Sequence, residues 1–361
     1  MPMTQATLVP RPAPLPDPPP TRLAPPGLSV HAAGLSDRGL VRESNQDQFL
    51  IAELTKALHV QHSSMQRPGV HYSDERGHLF LVADGVGGRT GGEQASALAV
   101  GTIEDLALNS LRWLFALPGA EEHQVLQEFQ AALRRVDARV FEEAAQRPEL
   151  RGMGTTLTLA YGLGRQLYVA HVGDTRCYLL RGGRLHQITR DHTLVGKLVA
   201  DGAIRREEAT SHYLRHVITN VVGGSEPGLQ AEAHKVELEP ADVMLLCSDG
   251  LTEMLDEATT GQILLAEPEP LRACRALIAT ANARGGRDNV TVVVARFDAP
   301  LGYPKKPPPR NEPPPPARTP VSRPPEVRID VRPKPEGRAR PTPLAPPMVR
   351  PEKAVGRATG E

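Results

Sequence analysis

The sequence predicts an α+β fold built on antiparallel sheets, and three features carry that prediction. Two long helical patterns, within residues 90–146, follow one another with no strand between them. A cluster of short runs rich in Val, Leu, Ile and Tyr comes after them. Two of these runs, Leu159–Ala160 and Leu167–Val169, are joined across Gly162-Leu-Gly164, the spacing of an antiparallel hairpin.

In chain order, strands are expected at Phe49–Glu53 and His78–Ala83, each bounded by Gly, Asp or Asn. Between them, Leu54–Gly77 reads as a polar, irregular insertion, and its loosely spaced His59, His62, His71 and the adjoining His78 as solvated rather than metal-binding. The first helix opens at Thr90-Gly-Gly-Glu93, which has the form of a capping box, and continues through Ala95–Leu117. The second spans Glu121 to Gln146, with Val125, Phe129, Leu133, Val136 and Phe141 near helical spacing. Further strands are expected at Thr155–Tyr161, Gln166–Val172, Cys177–Arg181, Val243–Ser248 and Val290–Phe297, and a helix at Leu271–Arg284.

Proline marks the domain boundaries. Of 36 prolines, 10 lie in residues 1–27 and 19 in residues 300–361, leaving 7 for everything between. Such ends have too few aromatic and β-branched residues to offset the entropy of ordering. The expected organisation is therefore a disordered arm over 1–27, a globular domain over 28–299 and a disordered basic tail over 300–361. Overall the 42 basic and 42 acidic residues cancel, which argues against a nucleic-acid partner. Cys177, Cys247 and Cys274 lack metal-type spacing, and none begins the Cys-x5-Arg loop of a cysteine-dependent phosphatase. With no apolar stretch of about 18 residues and no apolar leader, a cytoplasmic protein without membrane contact is expected.

The chemistry is concentrated in aspartates placed where strands stop. Asp47 precedes one apolar run; Asp84, Asp174 and Asp249 follow others; Asp288 stands before the last strand. Carboxylates gathered at one end of a sheet repel one another, and hard divalent cations relieve that repulsion. Asp-Gly and Asp-Asn are also ordinary turn pairs, so spacing alone leaves turn and ligand both open. The glycine-rich segment Gly85-Val-Gly-Gly-Arg-Thr-Gly-Gly92 matches neither dinucleotide nor P-loop spacing. A serine nucleophile elbow is also missing.

Six motifs in order resemble the metal-dependent protein phosphatase 2C family in its compact bacterial form. They are Ser36-Asp-Arg-Gly-Leu-Val-Arg42 with Asn45-Gln-Asp47, Val82-Ala-Asp-Gly85 with Gly87-Gly88, Gly152-Met-Gly-Thr-Thr156, His171-Val-Gly-Asp174, Cys247-Ser-Asp-Gly-Leu251 and Gly286-Arg-Asp-Asn289. The resemblance implies a four-layer sandwich, two central antiparallel β-sheets flanked by α-helices. It implies a binuclear Mn²⁺ or Mg²⁺ centre bridged by Asp84, with Asp249 and Asp288 on the first cation and the Gly85 carbonyl on the second. Asp47 would hold metal-bound water in the outer coordination sphere. Asp174, with Asp249, would match a third, weaker site, and Arg42 the arginine that binds substrate phosphate. The implied reaction is hydrolysis of phosphoserine and phosphothreonine on proteins by a metal-activated water, without a covalent phosphoenzyme. The implied partners are phosphorylated proteins, including a Ser/Thr kinase and its substrates, with the chain acting as a monomer.

Some positions depart from the family pattern: Gln46 stands where Glu is frequent, Val86 and Arg89 where Met and His are usual, and Thr175 where Ser is common. None removes a proposed carboxylate ligand. The stretch Asp191–Gly224 corresponds to the family's variable flap, and no catalytic role is carried over to its His192, His212 or His216. Two rival functions stand beside the first. One is a non-catalytic interaction protein working through Pro307-Pro-Pro309 and Pro313–Pro316; the other is a phosphatase of a small phosphorylated metabolite.

Overall fold

Period-two alternation in the strands decides the layering of the structure, a computed structural model that describes residues 27–61, 69–109, 122–209, 212–225 and 228–299. Along β3 (Gly69–Val86), Leu79, Leu81 and Ala83 pack against helices, whereas Phe80 and Val82 face a second sheet. The last strand, β12 (Val290–Asp298), repeats the pattern with Val290, Val292 and Val294 outward and Val293, Ala295 and Phe297 inward.

The remaining strands are β1 (Ser29–Asp37), β2 (Asp47–Val60), β4 (Gly154–Thr155), β5 (Leu157–Leu163), β6 (Gln166–Val172), β7 (Arg176–Arg181), β8 (Arg184–Gln187), β9 (Val222–Gly223), β10 (Glu232–Glu237) and β11 (Asp242–Cys247). One sheet has the order β1-β12-β11-β7-β8; the other runs β10-β6-β5-β3-β4-β9, with β2 paired to β3. Every pairing among them is antiparallel. The helices are α1 (Gly88–Asn109), α2 (Glu122–Gln146), α3 (Leu194–Ala200), α4 (Arg206–Ala209), α5 (Asp249–Thr252), α6 (Glu257–Ala266) and α7 (Pro270–Ala283).

Three apolar clusters hold these layers in the expected four-layer sandwich. Ala95, Ala99 and Ile103 of α1, with Val125, Phe129, Leu133 and Val136 of α2, cover one sheet. Leu264 of α6 and Ala273, Cys274, Leu277 and Ala281 of α7 cover the other. Phe80, Val82, Leu167, Val169, Leu246 and Phe297 fill the space between the sheets. Burying each such large side chain contributes about 2 kcal/mol. The helix starts are pinned locally: the Glu269 carboxylate accepts from the Leu271 and Arg272 amides, and Asp256 from Thr259.

Two expectations need correction. The described parts of Leu54–Gly77 are strands rather than an irregular insertion, because β2 continues to Val60 and β3 already begins at Gly69. The two strands pair as one long hairpin, with a register shift between Thr55 and Ala57. The backbone ladder holds this polar stretch, and composition does not report a ladder. The first helix begins at Gly88, two residues before the Thr90 capping box. Residues 1–26 and 300–361, the proline-rich ends, lie outside the described residues, as do His62 and the end of that helix beyond Asn109.

Candidate metal centre

Antiparallel register brings the strand-terminal aspartates to one end of the sandwich. Asp47 opens β2 directly opposite Asp84 near the close of β3. Asp174 occupies the turn from β6 to β7, Asp249 opens α5 just after β11, and Asp288 precedes β12. All five expected positions therefore meet at the same edge of the two sheets.

The two sheets are tied together there. The Ser248 hydroxyl donates to Asp47 Oδ2 at 2.7 Å and accepts from the Thr291 amide at 2.9 Å, so strands from both sheets share one hydroxyl. Asn289 anchors the loop that carries Arg42. Its Oδ1 accepts from the Gln46 amide at 2.8 Å, and its Nδ2 donates to the carbonyls of Arg38 and Ser44 at 3.0 and 2.9 Å. Gly39 has φ +75° in this loop, and a Cβ there would overlap the Asp288 carbonyl oxygen. Gly85 is equally constrained: a Cβ would overlap Gly92, so the end of β3 touches the start of α1 backbone to backbone. The Gly85 amide donates to the Gln46 carbonyl at 3.2 Å.

Electrostatically the site is overloaded with negative charge. Burial, then repulsion from Asp47, Asp249, Asp174 and Asp288, pushes the Asp84 carboxyl well above the usual range. Burial and then Asp174 and Glu253 do the same to Asp249. Asp47 is raised to about 6, chiefly by burial and against the pull of the Ser248 and Thr291 hydroxyls. Asp174 rises to about 7 through burial and Asp191. Arg42 is the nearby cation; it pairs with Asp288 and leaves its side chain 55% exposed. That pairing raises its pKa further.

The residues fit a divalent cation. Asp47 Oδ1, Asp174 Oδ1 and Asp249 Oδ1 are buried and lack any hydrogen-bond partner, a costly state unless an ion occupies the remaining lone pairs. The donors are all oxygen, the chemistry that Mg²⁺ and Mn²⁺ select.

Family comparison agrees with this geometry. The family model for protein phosphatase 2C matches residues 59–279, more than half of the chain. The chain belongs to the protein phosphatase 2C family. It is similar to the serine/threonine protein phosphatase PstP of Mycobacterium tuberculosis, 36% identical over 268 residues, which cover 74% of this chain and 45% of that protein. The chain thus spans less than half the length of that relative. It is also 32% identical to the serine/threonine phosphatase stp of Listeria innocua, over 73% of this chain and 95% of the relative. A solved structure of the PstP catalytic domain in complex with two manganese ions superposes with a TM-score of 0.58, at 33% identity, covering 74% of this chain and 98% of that one.

Sequence reasoning quoted Ser248 and Asn289 as motif members without giving them roles, and it missed Glu253. Nothing local marks these roles. The Ser248–Asp47 bond spans 201 residues of chain, and the Asn289–Gln46 bond 243. The flap histidines divide: His192 packs beside His171 with ring centroids 4.9 Å apart, while His216 reaches Glu253.

Proposed function

We propose that this protein phosphatase 2C chain hydrolyses phosphoserine and phosphothreonine on proteins. The observation that carries the reading is the convergence of buried aspartates with unpartnered oxygens at the end of the sandwich. Asp84, Asp249 and Asp288 and the Gly85 carbonyl would hold two Mn²⁺ or Mg²⁺ ions, and Asp174 with Asp249 a third, weaker one. When bound, the cations supply Lewis-acid activation of water and neutralise charge on the phosphoryl oxygens.

The chain's own groups do the rest. Ser248 fixes one Asp47 oxygen and leaves the other free at the metal edge, where it orients a water and accepts its proton. Arg42 stands on a loop anchored by Asn289, with an exposed planar guanidinium able to clasp two phosphoryl oxygens. No cysteine is offered for a covalent step. Cys177, Cys247 and Cys274 are buried, with thiols pushed up by burial, to about 12 for Cys247 and Cys274.

The wider reading follows from this one. Residues 28–299 form the catalytic domain, and the proline-rich segments 1–27 and 300–361 lie outside the chemistry. The chain works as a cytoplasmic monomer on the substrates of a Ser/Thr kinase, and on the kinase itself. No helix among the described residues is long and apolar enough to cross a membrane.

Phosphate release from phosphoserine and phosphothreonine peptides by the full chain provides the test. Release is expected with Mn²⁺ or Mg²⁺, and is expected to stop with chelator or in Asp249→Asn. Release that persists in chelator overturns the metal-dependent reading. Turnover of small phosphorylated metabolites without turnover of peptides overturns the protein-substrate reading.

A further inference from the structure

The loop that presents Arg42 also presents an apolar pair that the reading above does not use. Leu40 and Val41 are 67% and 66% exposed, although they immediately precede the proposed phosphate-binding arginine. A single exposed apolar side chain is ordinary on a protein surface, as with Leu108 on α1 or Leu265 on α6. Two consecutive ones at the rim of a site form a patch, and a patch marks a place where something binds.

The loop holds the pair in place. The Leu40 amide donates to the Gly286 carbonyl at 2.8 Å, the Gly39 amide donates to Asp37 Oδ1 at 2.8 Å, and Asn289 Nδ2 holds the Arg38 carbonyl. Leu40 leans on the loop that precedes β12, because a Cβ added to Gly286 would come within 2.9 Å of Leu40 Cγ. One side of the leucine therefore rests on Gly286, and the remainder, with Val41, faces solvent. A surface that is already fixed needs little further ordering when a partner covers it, and this favours binding.

Arg42 dictates what that partner is. Consecutive residues lie about 3.8 Å apart, so the Cα atoms of Leu40 and Arg42 are separated by no more than about 7.6 Å. A peptide whose phosphoryl group is held by Arg42 passes its neighbouring residues over the same loop, within reach of Leu40 and Val41. Neither side chain has a polar atom. Together they favour an apolar side chain by removing its surface from water, and they offer nothing to a hydroxyl or an amide.

We propose that Leu40 and Val41 form a specificity subsite that selects phosphopeptides with an aliphatic side chain beside the phosphorylated residue. The inference rests on the protein-substrate reading above and names part of what that substrate carries. The contact is made in the ground state and persists through the reaction, so it acts on KM and leaves kcat unaltered.

The test compares two phosphothreonine peptides, identical except for Leu or Ser on both sides of the phosphothreonine, with the full chain in Mn²⁺. Each kcat/KM is divided by that of p-nitrophenyl phosphate, which has no flanking residue. Wild type is expected to prefer the Leu peptide about tenfold, through KM. The double variant Leu40→Ser/Val41→Ser is expected to bring the preference to within about twofold of unity, whereas Leu40→Met/Val41→Ile retains it. Leu108→Ser, which alters an exposed leucine elsewhere, is expected to keep the wild-type preference. A wild-type preference below about twofold, or one that survives the double serine variant, overturns the inference. Self-association of the chain in sedimentation, abolished by the double serine variant while the preference stays, also overturns it and makes the pair a contact between copies. Failure of the underlying reading looks different: neither peptide would be turned over while p-nitrophenyl phosphate still is, and the inference would fall with it.

Discussion

At the loop end of the sandwich Asp47, Asp174 and Asp249 each keep a buried oxygen without a partner, whereas Thr158, His171 and Asp242 in the sheets are held by several hydrogen bonds each. The hydroxyls of Thr158 and Thr175 lie 2.6 Å apart, and Thr158 also meets His171 Nδ1, whose ring closes the chain on the Arg190 carbonyl. Asp242, 1% exposed, receives Arg181 through two bonds of 2.9 and 2.6 Å and the Glu239 amide at 2.7 Å. The difference separates function from architecture. A matched buried group contributes to the fold, while an unmatched buried charge costs the fold and persists because an ion can occupy it.

The largest expected effect tests the crowded carboxylates of the loop end. Asp84→Asn should lower Mn²⁺-dependent turnover of p-nitrophenyl phosphate at least about 10³-fold, roughly 4 kcal/mol of barrier. In chelator, the same variant should melt higher than wild type, because it removes one of five mutually repelling carboxylates. A lower melting temperature in chelator would show that the Asp84 carboxylate is not a net cost to the fold.

His171 tests the matched side through pH. Burial, and then His192, lowers its pKa from 6.5 to about 4. A histidine depressed in the folded state is protonated first in the unfolded chain. Its contribution is therefore complete above pH 6.5 and is lost as pH falls toward 4. The stability gap between wild type and His171→Asn should narrow by on the order of 3 kcal/mol between pH 7 and pH 4, measured by urea unfolding. A gap that stays constant would remove His171 from the matched group.

Arg181→Ala strands the buried Asp242 carboxylate. Breaking a fully buried pair costs about 3–5 kcal/mol, and with the guanidinium 34% exposed the expected loss is nearer about 2 kcal/mol, with turnover unchanged. Altered turnover at full metal occupancy would couple the two groups. The smallest effect is expected from trimming the chain to residues 28–299, which removes neither group. Small-ester turnover should stay within about twofold, and a folded but inactive product would place the ends within the active architecture.

Much of this contrast is legible in the sequence, but unevenly. Asp84-Gly85, Asp249-Gly250 and Asp288-Asn289 announce strand ends, and the unbroken apolar run along 79–83 announces a strand buried on both faces. The pairing partners are not announced. His171 sits in a motif beside Asp174, yet one is saturated with hydrogen bonds and the other keeps an empty oxygen, and no pattern of letters separates them. The hairpin through 54–60 and 69–77 was hidden for a related reason: it is held by a backbone ladder, which the composition of a polar stretch does not report.

Sequence alone settled several of the core strands, three helical stretches and which acidic residues stand near strand ends, because these depend on neighbours a few positions away. Tertiary structure alone decided that Ser248 reaches Asp47, that Asn289 anchors the loop of Arg42, and that His216 meets Glu253. Each of those bonds joins residues from distant parts of the chain. Their geometry is set by the packing of two sheets at one edge, where a side chain's partner depends on register and layer spacing rather than on local propensity.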